Sequence, residues 1–264
     1  MQSVLAIDAD TLFYDAYSMP KPSRYGFQPV RQLGKSLVPE EISDEILEKG
    51  LASVRRRIDQ MGERLFGPEL KIAVKGHNNF RHDIYPDYKS KRGQNKTILT
   101  DLANLTIDLA VDAGWATPSH GYEADDQVRM WAHEAELEGR AVVVAHVDKD
   151  LNCIVGRHFN FKGNFIYDVN AESAMAHYFN QLIIGDSVDS IPGARGLGPV
   201  KAARFLQSCE TEEEYQEAVV EAYMSAHPDD WYESLQLNGQ LIHLLRHTAD
   251  HFTCDNWPVV QALR

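Results

Sequence analysis

Two short apolar segments that each stop at a pair of aspartates constrain the fold of this chain most. The run SVLAI ends at Asp8 and Asp10, and the run AVVVAHV ends at Asp148 and Asp150. A segment this short with apolar residues on both faces is typical of a central parallel strand. Ligands of open α/β sheets bind at the carboxyl ends of such strands. The sequence therefore predicts a parallel sheet whose ligand-binding edge carries carboxylates.

Segments with helical periodicity alternate with these strands along the chain. We predict strands at 3–7, 70–74 and 141–147, a hairpin at 159–167, and helices at 40–66, 97–113, 123–138, 171–184, 199–207, 211–226 and 231–248. Strands that alternate with helices indicate an α/β fold with a parallel twisted sheet flanked by helices. We expect a catalytic α/β domain over 1–184 and a helical lobe over 185–264, with the boundary near Gly185.

The composition limits the classes of function. The 264 residues include three widely spaced cysteines without a CxxC pair, which is typical of reduced thiols and argues against a zinc site. No apolar run approaches the ~20 residues that span a bilayer. The N-terminus lacks the basic and apolar regions of a secretion signal. We expect a cytoplasmic monomer (in the host cytoplasm if the source is viral) that does not contact membranes.

The distribution of charge matters more than its total. The formal net charge of −13 argues, taken alone, against a nucleic-acid partner. Residues 16–39, however, contain four bases and no acid, and a second basic stretch runs from Arg81 to Lys96. Four prolines in 18–39 predict a long loop whose role the sequence leaves open. The segregated charge leaves basic surfaces for an anionic partner.

Nine acidic residues lie at the predicted boundaries of strands and helices. They are Asp8, Asp10, Glu123, Asp125, Asp126, Asp148, Asp150, Asp186 and Asp189. An acidic pair at a helix start is usually a cap or a partner of the helix dipole. Four such groups favour hard cations such as Mg²⁺ or Mn²⁺ instead. Two ions ~4 Å apart can activate water and stabilise the leaving oxygen of a phosphodiester.

A glycine loop follows the last acidic motif. Gly196 and Gly198 precede Lys201 and a predicted helix. Glycines let backbone N–H groups approach a phosphate closely, and a helix start favours an anion. Lys201 adds a direct charge contact. Many loops are rich in glycine, so it is the position of this one after the acidic motif that predicts phosphate binding.

These motifs together resemble the 5′-nuclease superfamily, which includes flap endonucleases and the 5′–3′ exonuclease domains of bacterial polymerases. The resemblance covers most of the chain, from Leu5 to about Leu206, and its size is similar to that of compact free-standing viral or bacterial members. It is carried by AIDAD, FRHDIYPDYKSKR, YEADD, VDKDL and GDSVDSIPGARGLGPVKAA. The resemblance implies a PIN-like core, a helical lobe with a helix–three-turn–helix element, and metal-dependent hydrolysis of DNA by exonuclease action, flap-endonuclease action or both.

The resemblance also implies where two metal ions and the DNA would bind. The first metal zone would comprise Asp8, Glu123, Asp125 and Asp126, with Asp10 a weaker candidate. The second would comprise Asp148, Asp150, Asp186 and Asp189. In a helical gateway, the scissile phosphate would meet Arg81, Lys89 and Arg92, and a terminal base would stack on Tyr88. DNA-binding candidates are Lys91, Arg195, Gly196, Gly198 and Lys201, with K⁺ at the glycine loop.

One position departs from the family pattern. The family usually has an acid at the end of the second strand, where this chain has Lys75. A lysine there removes one negative charge and adds a positive one beside the first metal zone. Two hypotheses follow: metal binding in that zone is weakened, or Lys75 itself contacts phosphate.

Other functions remain open from the sequence alone. A haloacid-dehalogenase-type phosphatase would use Asp8 as nucleophile and Asp10 as acid/base, with Asp186 and Asp189 imitating its metal loop. That alternative explains neither the Glu123 motif nor the glycine loop. The remaining alternatives are a related nuclease acting on RNA, and a DNA-structure-binding protein with catalysis weakened by Lys75. As substrates we expect DNA with a 5′ end, flap or nick, and RNA in RNA–DNA hybrids.

Overall fold

A computed structural model describes residues 2–18, 42–91 and 97–264 of the chain. The strands are β1 (Val4–Asp8), β2 (Glu69–Lys75), β3 (Thr117–Ser119), β4 (Val142–His146), β5 (Gly156–Asn160) and β6 (Phe165–Val169). The helices are α1 (Asp10–Ser18), α2 (Asp44–Arg64), α3 (Phe80–Ile84), α4 (Ile98–Asp112), α5 (Ala124–Leu137), α6 (Ala171–Ile184), α7 (Pro199–Leu206), α8 (Glu212–Ala226), α9 (Trp231–Ile242) and α10 (Pro258–Leu263). A short 3₁₀ helix spans Lys149–Cys153.

The six strands form one sheet in the order β3-β2-β1-β4-β5-β6. β1 pairs in parallel with both β2 and β4, and the outer pairs β2–β3 and β4–β5 are parallel as well. From β1 the chain moves outward through β2 and β3, then returns and moves the other way through β4 and β5. The strand order therefore reverses between β1 and β4, and their carboxyl ends border a crevice of the kind in which open α/β sheets bind ligands.

The sheet and the helices around it form a compact unit of 1–78, 95–148 and 157–167. Leu5 and Ile7 of β1 enter a core with Phe13, Val54 and Leu102 from α1, α2 and α4. Alternate residues of a strand point to opposite faces, and α5 packs against β1, β2, β3 and β4. The predicted parallel sheet flanked by helices is confirmed.

The second compact unit comprises 79–94, 149–156 and 168–264 and is largely helical. Its core gathers aromatic and aliphatic side chains from α6, α8, α9 and the C-terminal segment. Its buried members include Phe179, Val219, Tyr223, Leu235 and Trp257. Phe179 and Tyr215 stack with ring centroids 5.2 Å apart. Aromatic pairs favour this separation.

Most predicted elements lie where the sequence indicates, but one helix ends early. The helix predicted over 231–248 stops at Ile242, because His243 is extended (φ −62°, ψ 125°). The backbone carbonyl oxygens of Leu241 and His243 accept hydrogen bonds from the Arg81 guanidinium at 2.9 and 2.7 Å. The predicted hairpin is present as β5 and β6, joined by a turn in which the Asn160 side chain accepts the N–H of Gly163 at 2.6 Å.

Several predictions concern residues outside the described ranges. The proline-rich loop at 18–39 lies there except for Ser18, and so does Arg92 of the predicted gateway. The domain boundary near Gly185 stays a prediction. In the part of the chain that the structure describes, no helix combines the length and apolar character needed to cross a bilayer.

Candidate metal centre and nucleic-acid-binding loop

Asp8, the last residue of β1, is the buried centre of an acidic group. Its side chain is 8% exposed. Burial, followed by the charges of Asp10 and Asp148 and, more weakly, Glu123, raises the pKa of Asp8 to about 8. The carboxylates of Asp10, Asp148 and Glu123 therefore lie close enough to Asp8 to disfavour its charged form. Such a group is stabilised when a cation compensates its charge.

Asp10 is held in position by the neighbouring strand. It is the first residue of α1, and its carboxylate accepts a hydrogen bond from the backbone N–H of Lys75 at 2.9 Å. The backbone N–H of Ala9 donates to the carbonyl of Ala73 at 3.0 Å. These two bonds extend the β1–β2 pairing past the end of β1 and fix where α1 begins.

The acidic residues at the start of α5 take different positions. Asp126 is fully buried, and its carboxylate accepts the backbone N–H of Glu123 at 2.9 Å, as in a capping box. Glu123 and Asp125 are partly exposed. Asp126 thus satisfies a backbone donor at the helix start, so one of its oxygens already has this structural task in addition to the predicted metal contact.

A pair of buried histidines supports the segment that carries Asp148. His146, at the end of β4, lies with Nδ1 2.5 Å from the backbone carbonyl oxygen of Asp148. Its Nε2 lies 2.7 Å from Nδ1 of His158 and 3.1 Å from the hydroxyl of Tyr167. Burial, followed by the neighbouring His158, lowers the pKa of His146 to about 4, so the ring is neutral near pH 7. The sequence reading missed this pair, although the β4–β5 pairing brings both rings together.

Oxygen ligands of this kind fit a hard divalent cation such as Mg²⁺ or Mn²⁺. Within residues 2–18, 42–91 and 97–264, no three His, Cys, Asp or Glu side chains are arranged as a ready set of ligands. Burial is the largest cause of the raised pKa of Asp8, and the charges of Asp10 and Asp148 raise it further. Carboxylates that repel one another are stabilised by a cation placed between them.

The second unit contains the remaining acidic candidates, each with neighbours of its own. Asp150 accepts a hydrogen bond from the Gln181 amide at 2.6 Å. Asp186 accepts the backbone N–H of Val188 at 2.7 Å and lies 3.7 Å from the Lys149 ammonium. Reciprocal backbone bonds between Asp186 and Ile191, at 3.0 and 2.7 Å, close the turn that contains Asp189.

Lys89 and Asp189 form an ion pair within this unit. Their charged groups lie 3.7 Å apart, and the Lys89 backbone N–H donates to the carbonyl of Asp189 at 2.9 Å. Lys89 has φ +55°, a left-handed conformation that is uncommon for a residue with a side chain. The neighbouring Lys91 donates to the backbone carbonyl of Ser187 at 3.2 Å. The predicted phosphate contact at Lys89 thus starts from a lysine paired to an acidic residue.

Two residues of the predicted gateway, Arg81 and Tyr88, are buried in the structure. Arg81 is 1% exposed, and its guanidinium donates to the carbonyl oxygens of Leu241 and His243 at the end of α9. Tyr88 is 3% exposed and packs with Ile191 and Leu241. A buried guanidinium with backbone partners and a buried ring are not presented to a phosphate or a terminal base. Both side chains have structural contacts in this structure, and the direct DNA contacts of Arg81 and Tyr88 stay a prediction.

The glycine loop leads directly into α7 and is open to solvent. Gly196 has φ +75°, Gly198 is the N-cap and Pro199 is the first helical residue. A Cβ at either glycine would meet no other group within 4 Å. The Lys201 ammonium, exposed on the first turn of α7, donates to the Gly196 carbonyl at 3.0 Å, and Arg195 is exposed beside it. Backbone N–H groups at an open helix start form an anion-binding surface.

The described residues combine a parallel sheet that has acidic residues at its strand ends with a glycine loop at a helix start further along the chain. Residues 52–180 match the family model described as 5′-3′ exonuclease, N-terminal resolvase-like domain. Over these 129 of its 264 residues the chain is similar to the 5′-nuclease superfamily. This similarity does not favour the phosphatase alternative.

Curated relatives match about half of the chain. The chain is 32% identical over 163 residues to DNA polymerase I of Deinococcus radiodurans, and this alignment covers 58% of the chain and 16% of the polymerase. The chain is 25% identical over 154 residues to the 5′-3′ exonuclease of Bacillus subtilis, and this alignment covers 52% of the chain and 50% of the exonuclease. The chain thus spans a minor part of the polymerase and half of the exonuclease.

Solved structures of a bacteriophage T5 protein share the fold over nearly the whole chain. One is the T5 D15 protein co-crystallised with metal ions, and another is the T5 flap endonuclease in a pseudo-enzyme-product complex with DNA and metal ions. Each has a TM-score of 0.57 and 13% sequence identity, and covers 91% of this chain and 95% of the T5 chain. At this identity the likeness establishes the fold.

Proposed function

We propose that the protein is a divalent-metal-dependent 5′-nuclease that hydrolyses phosphodiester bonds of DNA, as a 5′–3′ exonuclease, a flap endonuclease or both. The observation that carries the proposal is the buried Asp8 carboxyl, whose pKa is raised to about 8 beside Asp10 and Asp148 at the strand-order reversal. The similarity of residues 52–180 to the 5′-3′ exonuclease family model supports the reaction class, and the T5 structure with bound DNA supports DNA as substrate.

The carboxylates of the first unit bind and orient a divalent cation in this proposal. Asp8, Glu123, Asp125, Asp126 and Asp148 supply oxygen ligands. Bound Mg²⁺ or Mn²⁺ would supply Lewis-acid activation of water and stabilisation of the leaving oxygen. Asp10 lies beside them, held by Lys75, and adds to the negative field. His146 fixes the Asp148 segment through its backbone carbonyl, so the carboxylate projects from a rigid support.

A second cation would use acids of the second unit. Asp186 and Asp189 lie in a turn closed by backbone bonds, and Asp150 is oriented by Gln181. The ammonium groups of Lys149 and Lys89 lie near Asp186 and Asp189 in the structure, at 3.7 Å each. We infer that Asp186 and Asp189 would hold this cation in place of the two lysine ammonium groups, and that Lys89 would then contact phosphate.

The glycine loop supplies sequence-independent contacts to the DNA backbone. The exposed N–H groups around Gly196 and Gly198, with Lys201 and Arg195, favour a phosphate at the start of α7. Lys91, and Arg92 by resemblance, add positive charge from the gateway. K⁺ at the loop, RNA–DNA hybrids as further substrates and a monomeric state belong to the same proposal.

The experiment uses 5′-labelled duplexes with a flap, a nick or a recessed end, incubated with Mg²⁺ and then with chelator. We expect 5′ products with Mg²⁺ and none with chelator, because the carboxylates act through a cation. An RNA–DNA hybrid and a small phosphate ester are run in parallel. Ester hydrolysis without DNA cleavage would assign a phosphatase, and metal-independent DNA binding without cleavage would assign a DNA-structure-binding protein.

A further inference from the structure

The segment before Gly196 is attached to the helices that follow it by a buried histidine. His227, the residue after α8, is 7% exposed. Its Nε2 accepts a hydrogen bond from the backbone N–H of Arg195 at 3.1 Å. Its ring stacks on Tyr223 with centroids 5.8 Å apart, and the Tyr223 hydroxyl donates to the carbonyl of Leu182 at 2.7 Å. The imidazole is therefore fixed in orientation where it meets the loop.

The hydrogen bonds around His227 run in one direction. Because the Arg195 N–H donates, Nε2 carries the lone pair and the ring proton lies on Nδ1. Nδ1 lies 3.3 Å from the Ser234 hydroxyl, which in turn donates to the Asp230 carboxylate at 2.9 Å. The chain of hydrogen bonds from Arg195 through His227 and Ser234 ends on the Asp230 carboxylate, which accepts. Every donor in this chain therefore has an acceptor.

A second buried side chain supports the same segment. Asn238 is 1% exposed; its carbonyl oxygen accepts the N–H of Gly193 at 2.8 Å, and its amide donates to the carbonyl of Ser234 at the same distance. The N–H of Ala194 donates to the carbonyl of Ile183 at 2.7 Å. The backbone N–H groups of 193–195 thus all donate hydrogen bonds. Their acceptors are the Asn238 side chain in α9, the Ile183 carbonyl in α6 and the His227 ring at the end of α8.

We propose that His227 is a positioning residue for phosphate binding by the glycine loop. It holds the Arg195 backbone, which fixes the direction in which the exposed segment around Gly196 and Gly198 leaves the protein. A loop that is already ordered loses less conformational entropy when it binds a phosphate. The inference rests on the proposed role of the loop in DNA binding, and it adds a residue, 29 positions beyond Gly198 in the sequence, that contacts no DNA itself.

The test compares His227→Leu with His227→Gln in the full chain. Leucine keeps an apolar side chain but accepts no hydrogen bond, whereas the glutamine Oε1 can occupy the position of Nε2 and accept from Arg195. Dissociation constants for a short duplex are measured in chelator, so that no cleavage occurs, and hydrogen exchange is followed at the Arg195 amide. Thermal unfolding checks that each variant is folded.

We expect His227→Leu to weaken duplex binding about 10-fold and to speed exchange at Arg195, because a buried N–H without an acceptor is unfavourable. His227→Gln should stay within about 3-fold of the parent. The salt dependence of binding should not change in either variant, since no phosphate contact is removed. Lys201→Ala is the matched control: it should weaken binding and reduce the salt slope by about one.

Parental affinity in His227→Leu while Lys201→Ala binds more weakly, or equal losses in the leucine and glutamine variants, would overturn the inference. If His227→Leu does not fold, Ser234→Ala replaces it. That variant removes the acceptor of Nδ1 and should speed Arg195 exchange with a smaller loss of affinity; no effect on exchange would count against the inference. If Lys201→Ala and the His227 variants all leave duplex binding intact while Arg195 exchange responds, the proposed DNA role of the loop fails and the positioning of the loop by His227 stands.

Discussion

The backbone N–H of Lys75 donates a hydrogen bond to the carboxylate of Asp10 at 2.9 Å, while the Lys75 side chain is exposed. The bond joins the last residue of β2 to the first residue of α1, next to the buried Asp8. Because the donor belongs to the backbone, the charge of this side chain can be changed without removing the bond. The family departure at this position can therefore be tested separately from the local fold.

Lys75→Asp should tighten Mn²⁺ binding and raise cleavage at low Mg²⁺. Replacing lysine by aspartate changes the charge beside the first metal zone by two units. A partly screened charge and a nearby cation interact by about 1 kcal/mol. We expect a 3- to 10-fold lower dissociation constant for Mn²⁺, on the order that this energy implies. Calorimetric titration of Mn²⁺ measures it.

Lys162→Asp is the control for total charge, since Lys162 is exposed in the turn between β5 and β6. It should leave Mn²⁺ affinity unchanged. Unchanged or weaker Mn²⁺ binding by Lys75→Asp would reject the hypothesis that the lysine handicaps the first zone. A loss of activity together with weaker DNA binding would favour direct phosphate contact by Lys75.

Asp8→Asn should stabilise the protein in chelator and abolish its stabilisation by Mg²⁺. Asp8 has a pKa of about 8 in the folded state against an ordinary value of 3.8. Below 3.8 the group is protonated in both states and costs nothing. As the pH rises from 3.8 towards 8 the unfolded chain loses this proton more readily, so stability falls. Asparagine removes this loss, on the order of 2 kcal/mol at pH 8 after allowance for relaxation.

Chemical unfolding from pH 4.5 to 8, with chelator or with Mg²⁺, measures both effects. Asp108→Asn, at an exposed position of α4, is the control and should behave like the parent. A parent stability that does not decline over this range, or an Asp8→Asn variant still stabilised by Mg²⁺ as the parent is, would show that Asp8 is not the centre of the acidic group.

Arg81→Leu should act on stability. The buried guanidinium bonds the carbonyls of Leu241 and His243 and lies over the Phe80 ring, with 4.7 Å from the guanidinium carbon to the ring centroid. Leaving those carbonyls without donors costs about 2–4 kcal/mol. Urea unfolding should show this loss, while the dissociation constant of the folded variant for DNA changes little. A stable variant with selectively impaired DNA binding would restore the predicted phosphate contact.

The sequence predicts what depends on local pattern. The apolar runs before Asp8 and Asp148 locate β1 and β4, because the length and burial of a strand depend on consecutive residues. The end of α9 at Ile242 was predicted six residues too late, because its carbonyls are bonded by Arg81, 160 positions away from Leu241. No periodicity reports a partner so distant.

Side-chain roles within the motifs were harder to predict, for the same reason. Tyr88 lies between the charged residues Asp87 and Lys89, yet it packs with Ile191 and Leu241. The contact between His146 and His158 depends on the pairing of β4 with β5, which a sequence without a register does not give. Motif type indicated the chemistry, whereas burial decided which members of each motif are exposed to a ligand.

The most direct test of the nuclease proposal separates DNA cleavage from DNA binding in Asp148→Asn and Asp125→Asn. Single-turnover cleavage of a 5′-labelled flap duplex is measured in Mg²⁺, and the dissociation constant for the same duplex is measured in chelator. The proposal predicts a loss of cleavage greater than about 100-fold, beyond the effect of an outer-shell partner, with DNA affinity nearly intact because other residues contact phosphate. Full turnover by either variant would contradict it.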